Sequence, residues 1–182
     1  VRALVAIQRG CNKNCAFCVV PTTRGPEVSR PADEIIREVK AKIRLGAKEV
    51  MLLGQTVNSY GRDLEPRYPF EKLIRELAEV EGLERIRFTS PHPQDVRKGF
   101  LELYADVPQL CPHIHLPLQS GSDRILELMN RNYRTKRYLE IVDSLKERCP
   151  EIAITSDFIV GFPTETDEEF ETVSYTHLRA HE

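Results

Sequence analysis

Several common signals are missing from this 182-residue sequence. No apolar run approaches the roughly 20 residues that a membrane-spanning helix needs. No charged segment followed by an apolar one opens the chain as a secretory signal would. Neither sign of charge dominates, because 26 Lys and Arg residues face 28 Asp and Glu residues, for a net charge of −2. Bulk electrostatics therefore do not indicate nucleic-acid binding, and no membrane partner is expected.

Cysteine is scarce and unevenly placed. The chain has five cysteines without the regular spacing of a disulfide framework, and three of them are Cys11, Cys15 and Cys18. Thiolates are good ligands for iron and zinc. A closed zinc site or an electron-transfer [4Fe–4S] cluster takes four protein ligands, so three thiolates on a four-iron cube leave one iron open. A thiolate-held cluster fits a reducing cytosol, which predicts a cytoplasmic protein.

The C-x3-C-x2-C run, with Phe17 directly before its last cysteine, resembles the signature of radical S-adenosylmethionine (radical SAM) enzymes. The resemblance implies that Cys11, Cys15 and Cys18 hold a [4Fe–4S] cluster whose open iron is chelated by the amino and carboxylate groups of SAM. An electron, from a donor such as flavodoxin or ferredoxin, would then cleave SAM to a 5′-deoxyadenosyl radical. No catalytic residue beyond the cluster ligands is predicted.

A zinc knuckle is the alternative interpretation of the three cysteines. It needs a fourth ligand from elsewhere in the chain, and His113, His115 or Cys111 could supply one. The ligand count argues against it, because a structural zinc site is closed by four protein ligands.

Short apolar runs alternate with helical patterns along the chain. Prolines and a glycine ahead of Pro31 predict that no helix begins before that residue. The predicted strands are Ala3–Ile7, Glu49–Leu53, Ile86–Phe88, His113–Leu116 and Ile152–Ile159. The predicted helices are 31–46, Phe70–Leu77, Gln94–Tyr104, Asp123–Met129, Thr135–Arg148 and one capped by Thr166.

This alternation predicts an α/β fold with a parallel sheet and right-handed crossovers. The radical SAM resemblance implies a partial, laterally open (β/α)6 TIM-like barrel, truncated here after about five βα units. We expect the core to span residues 1–172. Residues 173–182 resemble the translation of a sequencing-library adapter and are expected to be a non-native tail.

Polar residues and glycines follow the second and fourth predicted strands. Gly54 would let the backbone approach a ligand, and the amide oxygen of Gln55 can accept from an ammonium group. The resemblance places the amino group of SAM here, with Asn58 nearby. Gln119 and Ser120 offer donors and acceptors suited to ribose hydroxyls. An ordinary βα turn is the alternative for Gly54 and Gln55. Gln119 and Ser120 also belong to a predicted helix-entry turn with Ser122 as N-cap, which does not exclude the ligand role.

Three further residues complete the predicted cofactor site. The resemblance places adenine near Gly161, and Asp157 would take ribose or substrate. A buried carboxyl with a structural partner is the alternative for Asp157. Arg131 could pair with the SAM carboxylate or with an RNA phosphate. No role is predicted for His92, which is interpreted as a structural loop residue.

The segment 52–61 resembles the tRNA methylthiotransferases within this family, although Thr56 stands where a second amide residue is expected. The resemblance implies addition of a 2-methylthio group to N6-isopentenyladenosine next to the tRNA anticodon. It also implies a second [4Fe–4S] cluster in an N-terminal domain, a C-terminal RNA-binding domain and a monomeric enzyme. Because the sequence holds neither domain, we expect no turnover from this chain alone.

Two other functions remain open. A methylthiotransferase could act on N6-threonylcarbamoyladenosine in tRNA or on a ribosomal protein aspartate. A non-catalytic iron–sulfur or zinc module belongs to another class, and it would not need Gly54, Gln55, Gln119 and Ser120 at strand ends.

Overall fold

The computed structural model describes residues 1–172. The expectations that Tyr175 and Leu178 have no core partner, and that His177 and His181 carry no function, therefore lie outside the described residues. Within residues 1–172, no helix is both long enough and apolar enough to cross a bilayer.

The described chain contains seven strands, six helices and two 3₁₀ turns, followed by helical residues 167–172. The strands are β1 (Arg2–Ala6), β2 (Gln8–Arg9), β3 (Val28–Ser29), β4 (Glu49–Leu53), β5 (Arg85–Phe88), β6 (His113–His115) and β7 (Ala153–Thr155). The helices are α1 (Val20–Arg24), α2 (Ala32–Arg44), α3 (Phe70–Ala78), α4 (Lys98–Asp106), α5 (Asp123–Leu128) and α6 (Thr135–Arg148), and the 3₁₀ turns are Val57–Ser59 and Pro93–Asp95.

The predicted parallel pairing is confirmed in two separate sheets. Strands β1, β4 and β5 form one parallel sheet with β4 in the centre, and β6 pairs with β7 in parallel. An isolated parallel bridge between Ile86 and Leu110 lies beside β5, and another joins Gln119 to Phe158. Within residues 1–172 these strands do not close into a barrel. The strands β2 and β3 form a short antiparallel ribbon that the sequence did not predict.

Three predicted elements were wrong in detail. Helix α1 begins at Val20, ahead of Pro31, because Pro21 occupies the first turn, where its missing N–H costs no hydrogen bond. The helix predicted over Gln94–Tyr104 is interrupted, since Arg97 is extended and α4 begins only after it. The predicted strand Ile152–Ile159 is reduced to β7 and the bridge at Phe158.

The end of the described chain follows its prediction. Thr166 Oγ1 accepts from the backbone N–H of Glu169, and Glu169 Oε2 accepts from the N–H of Thr166. This reciprocal capping box starts the helical residues 167–172.

The core lies on one face of the β1–β4–β5 sheet. Val5, Val50, Leu52 and Ile86 are fully buried there, against the apolar faces of α2 and α3. The opposite face is open, as Leu4 of β1 is 58% exposed. Because residues alternate between faces along a strand, one set fills the core, while Arg2, Met51 and Arg87 line a cavity on the other face.

Candidate functional site

The three clustered cysteines lie in a loop that leaves β2 and crosses close to the β2–β3 ribbon. Gly10, directly before Cys11, has a φ of 72°, and a Cβ there would lie 2.0 Å from the carbonyl oxygen of Pro26. Glycine is therefore required by both the left-handed backbone and the close approach. The backbone N–H of Cys11 donates to Gly25 O at 3.2 Å, which fixes the start of the loop.

An ion-pair network holds the middle of this loop. Lys13 Nζ lies 2.7 Å from Asp95 Oδ2, and Arg62 Nη2 lies 2.8 Å from Asp95 Oδ1. The side chain of Asp95 is only 4% exposed. Burial alone would raise the pKa of this carboxyl, but the hydrogen bonds from Lys13 and Arg62 outweigh burial and lower it. The loop is thus attached to the 3₁₀ turn that follows β5.

The far side of the loop is attached to the end of α5. Asn130 Nδ2 donates to Asn14 O at 3.1 Å, and the N–H of Ala16 donates to Met129 O at 3.1 Å. These bonds place Arg131, the next residue, beside the cysteines. The Arg131 guanidinium carbon lies 5.4 Å from the ring centroid of Phe17.

The cysteine loop forms one wall of a cavity of about 370 Å³. Polar residues from the ends of four strands and from the segment after α5 form the remaining walls. The cavity brings together nine predicted site residues, namely Cys11, Cys15, Cys18, Phe17, Gly54, Gln55, Gln119, Arg131 and Asp157.

The cysteine thiols interact electrostatically across this cavity. Burial raises the pKa of Cys15, the Arg131 guanidinium opposes that rise, and charge on Cys18 or Cys11 adds to it. Cys11 Sγ lies 3.4 Å from Thr56 Oγ1 and accepts from the backbone N–H of Lys13 at the same distance. Thr56, the departure from the expected amide residue, therefore contacts a predicted ligand.

The donor set fits an iron–sulfur cluster with SAM better than it fits one ion. Among residues 1–172, no three His, Cys, Asp or Glu side chains are placed to share a single metal ion. A four-iron cluster instead takes one thiolate per iron, which suits three thiols spread along a cavity wall. Gln55 Oε1 is buried without a hydrogen-bond partner, so the wall also offers an unused acceptor.

Three predicted residues do not line this cavity. Both ends of the Asn58 carboxamide are hydrogen-bonded to the backbone of His92. Asn58 Nδ2 donates to His92 O at 3.0 Å, and Asn58 Oδ1 accepts from the His92 N–H at 2.8 Å. Ser120 is fully buried, and its Oγ accepts from the N–H of Ser122. Gly161 is exposed and donates its N–H to Glu165 Oε2 at 2.6 Å.

The cavity is also lined by residues that were not predicted as site residues, among them Lys13, Thr56, His92 and His115. His115 Nε2 lies 3.2 Å from Asp157 Oδ2, and its Nδ1 lies 3.0 Å from Thr155 Oγ1. From the sequence, its position near the end of a predicted strand could have identified His115 as a site residue. The two remaining cysteines, Cys111 and Cys149, are buried away from the cavity.

This fold and site define a class of protein. An α/β chain with parallel strands presents three clustered thiols at the strand ends, together with an open acceptor and a cation. The Radical SAM superfamily model matches residues 5–174, so the chain belongs to the radical SAM superfamily. Members of this superfamily use a [4Fe–4S] cluster and SAM.

Solved structures agree with the fold. A radical SAM methyltransferase from Kitasatospora setae, with cobalamin and a [4Fe–4S] cluster bound, superposes with a TM-score of 0.79 at 16% identity, over 98% of this chain and 32% of its own. Coproporphyrinogen III oxidase from Escherichia coli gives a TM-score of 0.61 at 18% identity, over 98% and 42%. Identities this low establish the fold alone.

Curated relatives are more specific. The tRNA-2-methylthio-N(6)-dimethylallyladenosine synthase of Clostridium tetani is 50% identical over 169 residues, covering 93% of this chain and 37% of that protein. The synthase of the same name from Thermobifida fusca is 52% identical over 168 residues, covering 92% and 34%. The chain thus spans little more than a third of the length of these relatives.

Proposed function

We propose that this chain is the SAM-cleaving core of a tRNA methylthiotransferase. The full enzyme would add a 2-methylthio group to N6-isopentenyladenosine, also called N6-dimethylallyladenosine, next to the anticodon. The identity of about half the residues to synthases of that name supports the substrate. One observation carries the SAM-cleaving chemistry: three thiols share a cavity with the unpaired acceptor Gln55 Oε1.

The cavity residues divide the binding of cluster and SAM among them. Cys11, Cys15 and Cys18 would hold three irons of a [4Fe–4S] cluster, which with bound SAM supplies the 5′-deoxyadenosyl radical. Gln55 Oε1 would accept from the methionine ammonium group, and the Arg131 guanidinium would pair with the methionine carboxylate.

The adenosine end would meet the loops after β6 and β7. Gln119 and the Asp157 carboxylate would take the ribose hydroxyls, and the backbone near Gly161 would take adenine. Ser120 would support the site without touching the ligand, because its hydroxyl already accepts from the backbone N–H of Ser122. Asn58 would hold the backbone of His92, which lines the cavity, without touching the ligand itself.

The remaining expectations about the whole enzyme belong to the same proposal. The core, residues 1–172, would form a partial, laterally open (β/α)6 barrel that admits a large RNA, and residues 173–182 would be a non-native tail. A second [4Fe–4S] cluster would lie in an N-terminal domain. Flavodoxin or ferredoxin would donate electrons to a monomeric, cytoplasmic enzyme.

Anaerobic reconstitution of the chain with iron and sulfide tests the chemistry. We expect about four irons per chain, by the cluster stoichiometry, and a visible iron–sulfur absorption band. SAM should change the electron paramagnetic resonance spectrum of the reduced cluster. Bound zinc without iron–sulfur absorption, or a cluster that ignores SAM, would instead favour a non-catalytic module.

The substrate needs a separate test with the complete reading frame. Expressed in a bacterium that lacks its own 2-methylthiolation enzyme, the full protein should restore 2-methylthio-N6-isopentenyladenosine in tRNA, as measured by mass spectrometry of nucleosides. Restoration of the 2-methylthio derivative of N6-threonylcarbamoyladenosine, or modification of a ribosomal protein aspartate, would assign the core to a sister enzyme.

A further inference from the structure

The most unusual group outside the three predicted cluster ligands is the buried cation Arg131. The residue is 6% exposed, its Nε has no hydrogen-bond partner, and within residues 1–172 no carboxylate forms an ion pair with it. A buried charge without a counter-ion is costly. The rings of Phe17 and Tyr133, at 5.4 and 5.7 Å from its guanidinium carbon, offset part of that cost.

Among residues 1–172, the one side chain that hydrogen-bonds this guanidinium is a histidine. His92 Nε2 lies 2.5 Å from Arg131 Nη1. A guanidinium can only donate, so the imidazole must accept and must therefore be neutral. Burial, followed by the charges of Arg131 and Lys13, lowers the pKa of His92 to about 3. The ring is thus neutral at physiological pH.

The geometry around the ring favours one tautomer. The backbone N of Gln94 lies 3.2 Å from Nδ1, so N–H donors face both ring nitrogens. A neutral imidazole has one lone pair to offer, and the shorter contact, from a charged donor, has the stronger claim on it. We therefore expect the ring proton on Nδ1 and the lone pair on Nε2.

The backbone of His92 is itself fixed. Asn58 clamps its N–H and its carbonyl through both ends of one carboxamide. Pro91 and Pro93 flank it and restrict the chain on either side. The imidazole thus faces Arg131 from a segment that follows β5. Through Asn58, this segment is hydrogen-bonded to the one that follows β4.

We propose that His92 is a positioning residue for Arg131: it accepts one guanidinium N–H and so directs the others at the carboxylate of bound SAM. This inference rests on the proposed function, in which Arg131 meets that carboxylate. Because His92 carries no charge, it orients the arginine without neutralising it. A carboxylate in its place would hold Arg131 equally well but would compete with the ligand.

The test compares two ligands that differ only at the carboxylate. SAM and decarboxylated SAM are titrated by equilibrium dialysis into the reconstituted chain and three variants, His92→Leu, His92→Gln and the control His113→Leu. His113 lies on β6 and lines a different cavity. We expect His92→Leu to weaken SAM binding about tenfold, the loss of a hydrogen bond to a charged group, and to leave decarboxylated SAM unchanged.

The conservative variant and the control sharpen the result. His92→Gln keeps an acceptor and should stay within about threefold of the wild type, as should His113→Leu. Equal losses for both ligands, or no loss for either, would overturn the positioning role while the proposed function stood. Failure of the wild-type holoprotein to bind SAM would overturn the proposed function and this inference with it.

A measurement on the wild type covers the case in which His92→Leu takes up no cluster. Nitrogen-15 NMR of histidine-labelled holoprotein should show His92 neutral, protonated on Nδ1, with its Nε2 resonance shifting when SAM is added. A ring protonated on Nε2 could not accept from Arg131 and would contradict the proposal.

Discussion

Two regions line the cavity, and they are built differently. The cluster-side loops, residues 8–30, 54–63 and 90–97, bury charged and polar groups and pair most of them, with Gln55 Oε1 left without a hydrogen-bond partner among the described residues. Glu27 Oε2, for example, accepts from Ser59 Oγ at 2.7 Å. The last-strand loop, residues 156–166, is mostly exposed: the Asp157 side chain is 66% exposed and Val160 is 62% exposed.

This difference separates the two ends of the proposed SAM site. We expect the cluster-side loops to be ordered before any ligand arrives, because most of their buried polar groups are already paired and a satisfied buried network rigidifies the chain around it. The last-strand loop is more exposed, so we expect its groups to lose more freedom when a ligand binds. Substitutions should therefore cost more on the cluster side, in stability as well as in binding.

The largest expected effect comes from removing a thiol. Cys15→Ser should abolish uptake of the cluster, because a hydroxyl is a poor, hard ligand for iron. Iron content and visible absorption after reconstitution measure it. Cys149→Ser is the matched control, since Cys149 is buried away from the cavity. A spectroscopically intact cluster in Cys15→Ser would remove this residue from the ligand set.

The next effect tests the ion pairs that hold the cysteine loop. Asp95→Asn leaves Lys13 and Arg62 facing a neutral group. Because their side chains are 17% and 42% exposed, losing these charged hydrogen bonds should cost about 1.5–3 kcal/mol of unfolding free energy. Asp106→Asn is the control: its 2.7 Å pair with Arg75 is about half exposed and should cost at most about 1 kcal/mol. Urea unfolding of the holoprotein measures the loss of unfolding free energy in each variant. Equal losses would contradict the expected difference between the buried and the exposed ion pair.

Acid should weaken the cluster-side loops through His92. Its pKa of about 3 in the folded state lies below the ordinary value of 6.5, so between those pH values only the unfolded chain binds the extra proton. The associated stability is present above pH 6.5 and is lost as the pH falls toward 3. Lowering the pH from 6.5 to 5 should cost about 2 kcal/mol.

The control for the acid effect is His92→Gln, which cannot titrate and should lose about 2 kcal/mol less than the wild type over that interval. Chemical unfolding at both pH values measures the slopes. Parallel slopes for the two proteins would show that His92 is protonated in the folded state as readily as in the unfolded one.

The smallest effects compare the two ends of SAM directly. Gln55→Ala should weaken SAM binding about tenfold while sparing the cluster, because it removes an acceptor facing a charged group. Asp157→Ala should weaken SAM binding by less than about threefold, since its exposed carboxylate is solvated in the free protein. Equilibrium dialysis measures both, and a larger effect at Asp157 would reverse the comparison.

The parts of the fold and site that the sequence predicted depend on local patterns. Alternating apolar runs gave the parallel strands, and Thr166 with Glu169 gave the capping box. The spacing of Cys11, Cys15 and Cys18 gave the cysteine site. Helix α1 was missed because prolines were read as breakers, although a proline in the first turn costs nothing.

Contacts between distant segments could not be predicted in this way. Asn58 carries an amide and follows the end of a strand, as a cofactor ligand would. Both ends of that amide, however, are hydrogen-bonded to the backbone of His92. Which atoms a side chain meets depends on how strand ends are brought together in space, and the sequence spacing does not contain that information.

The cysteine run by itself predicted the chemistry proposed for this chain, because three closely spaced thiolates would leave one iron of a four-iron cluster open. Only the tertiary structure decided how the surroundings of these three thiols are held. It buried Arg131 without a counter-ion among the described residues, set a neutral His92 against it, and paired Lys13 with Asp95 across 82 positions of sequence. Ligand identity follows from local residue chemistry, whereas orientation and charge balance arise from long-range packing.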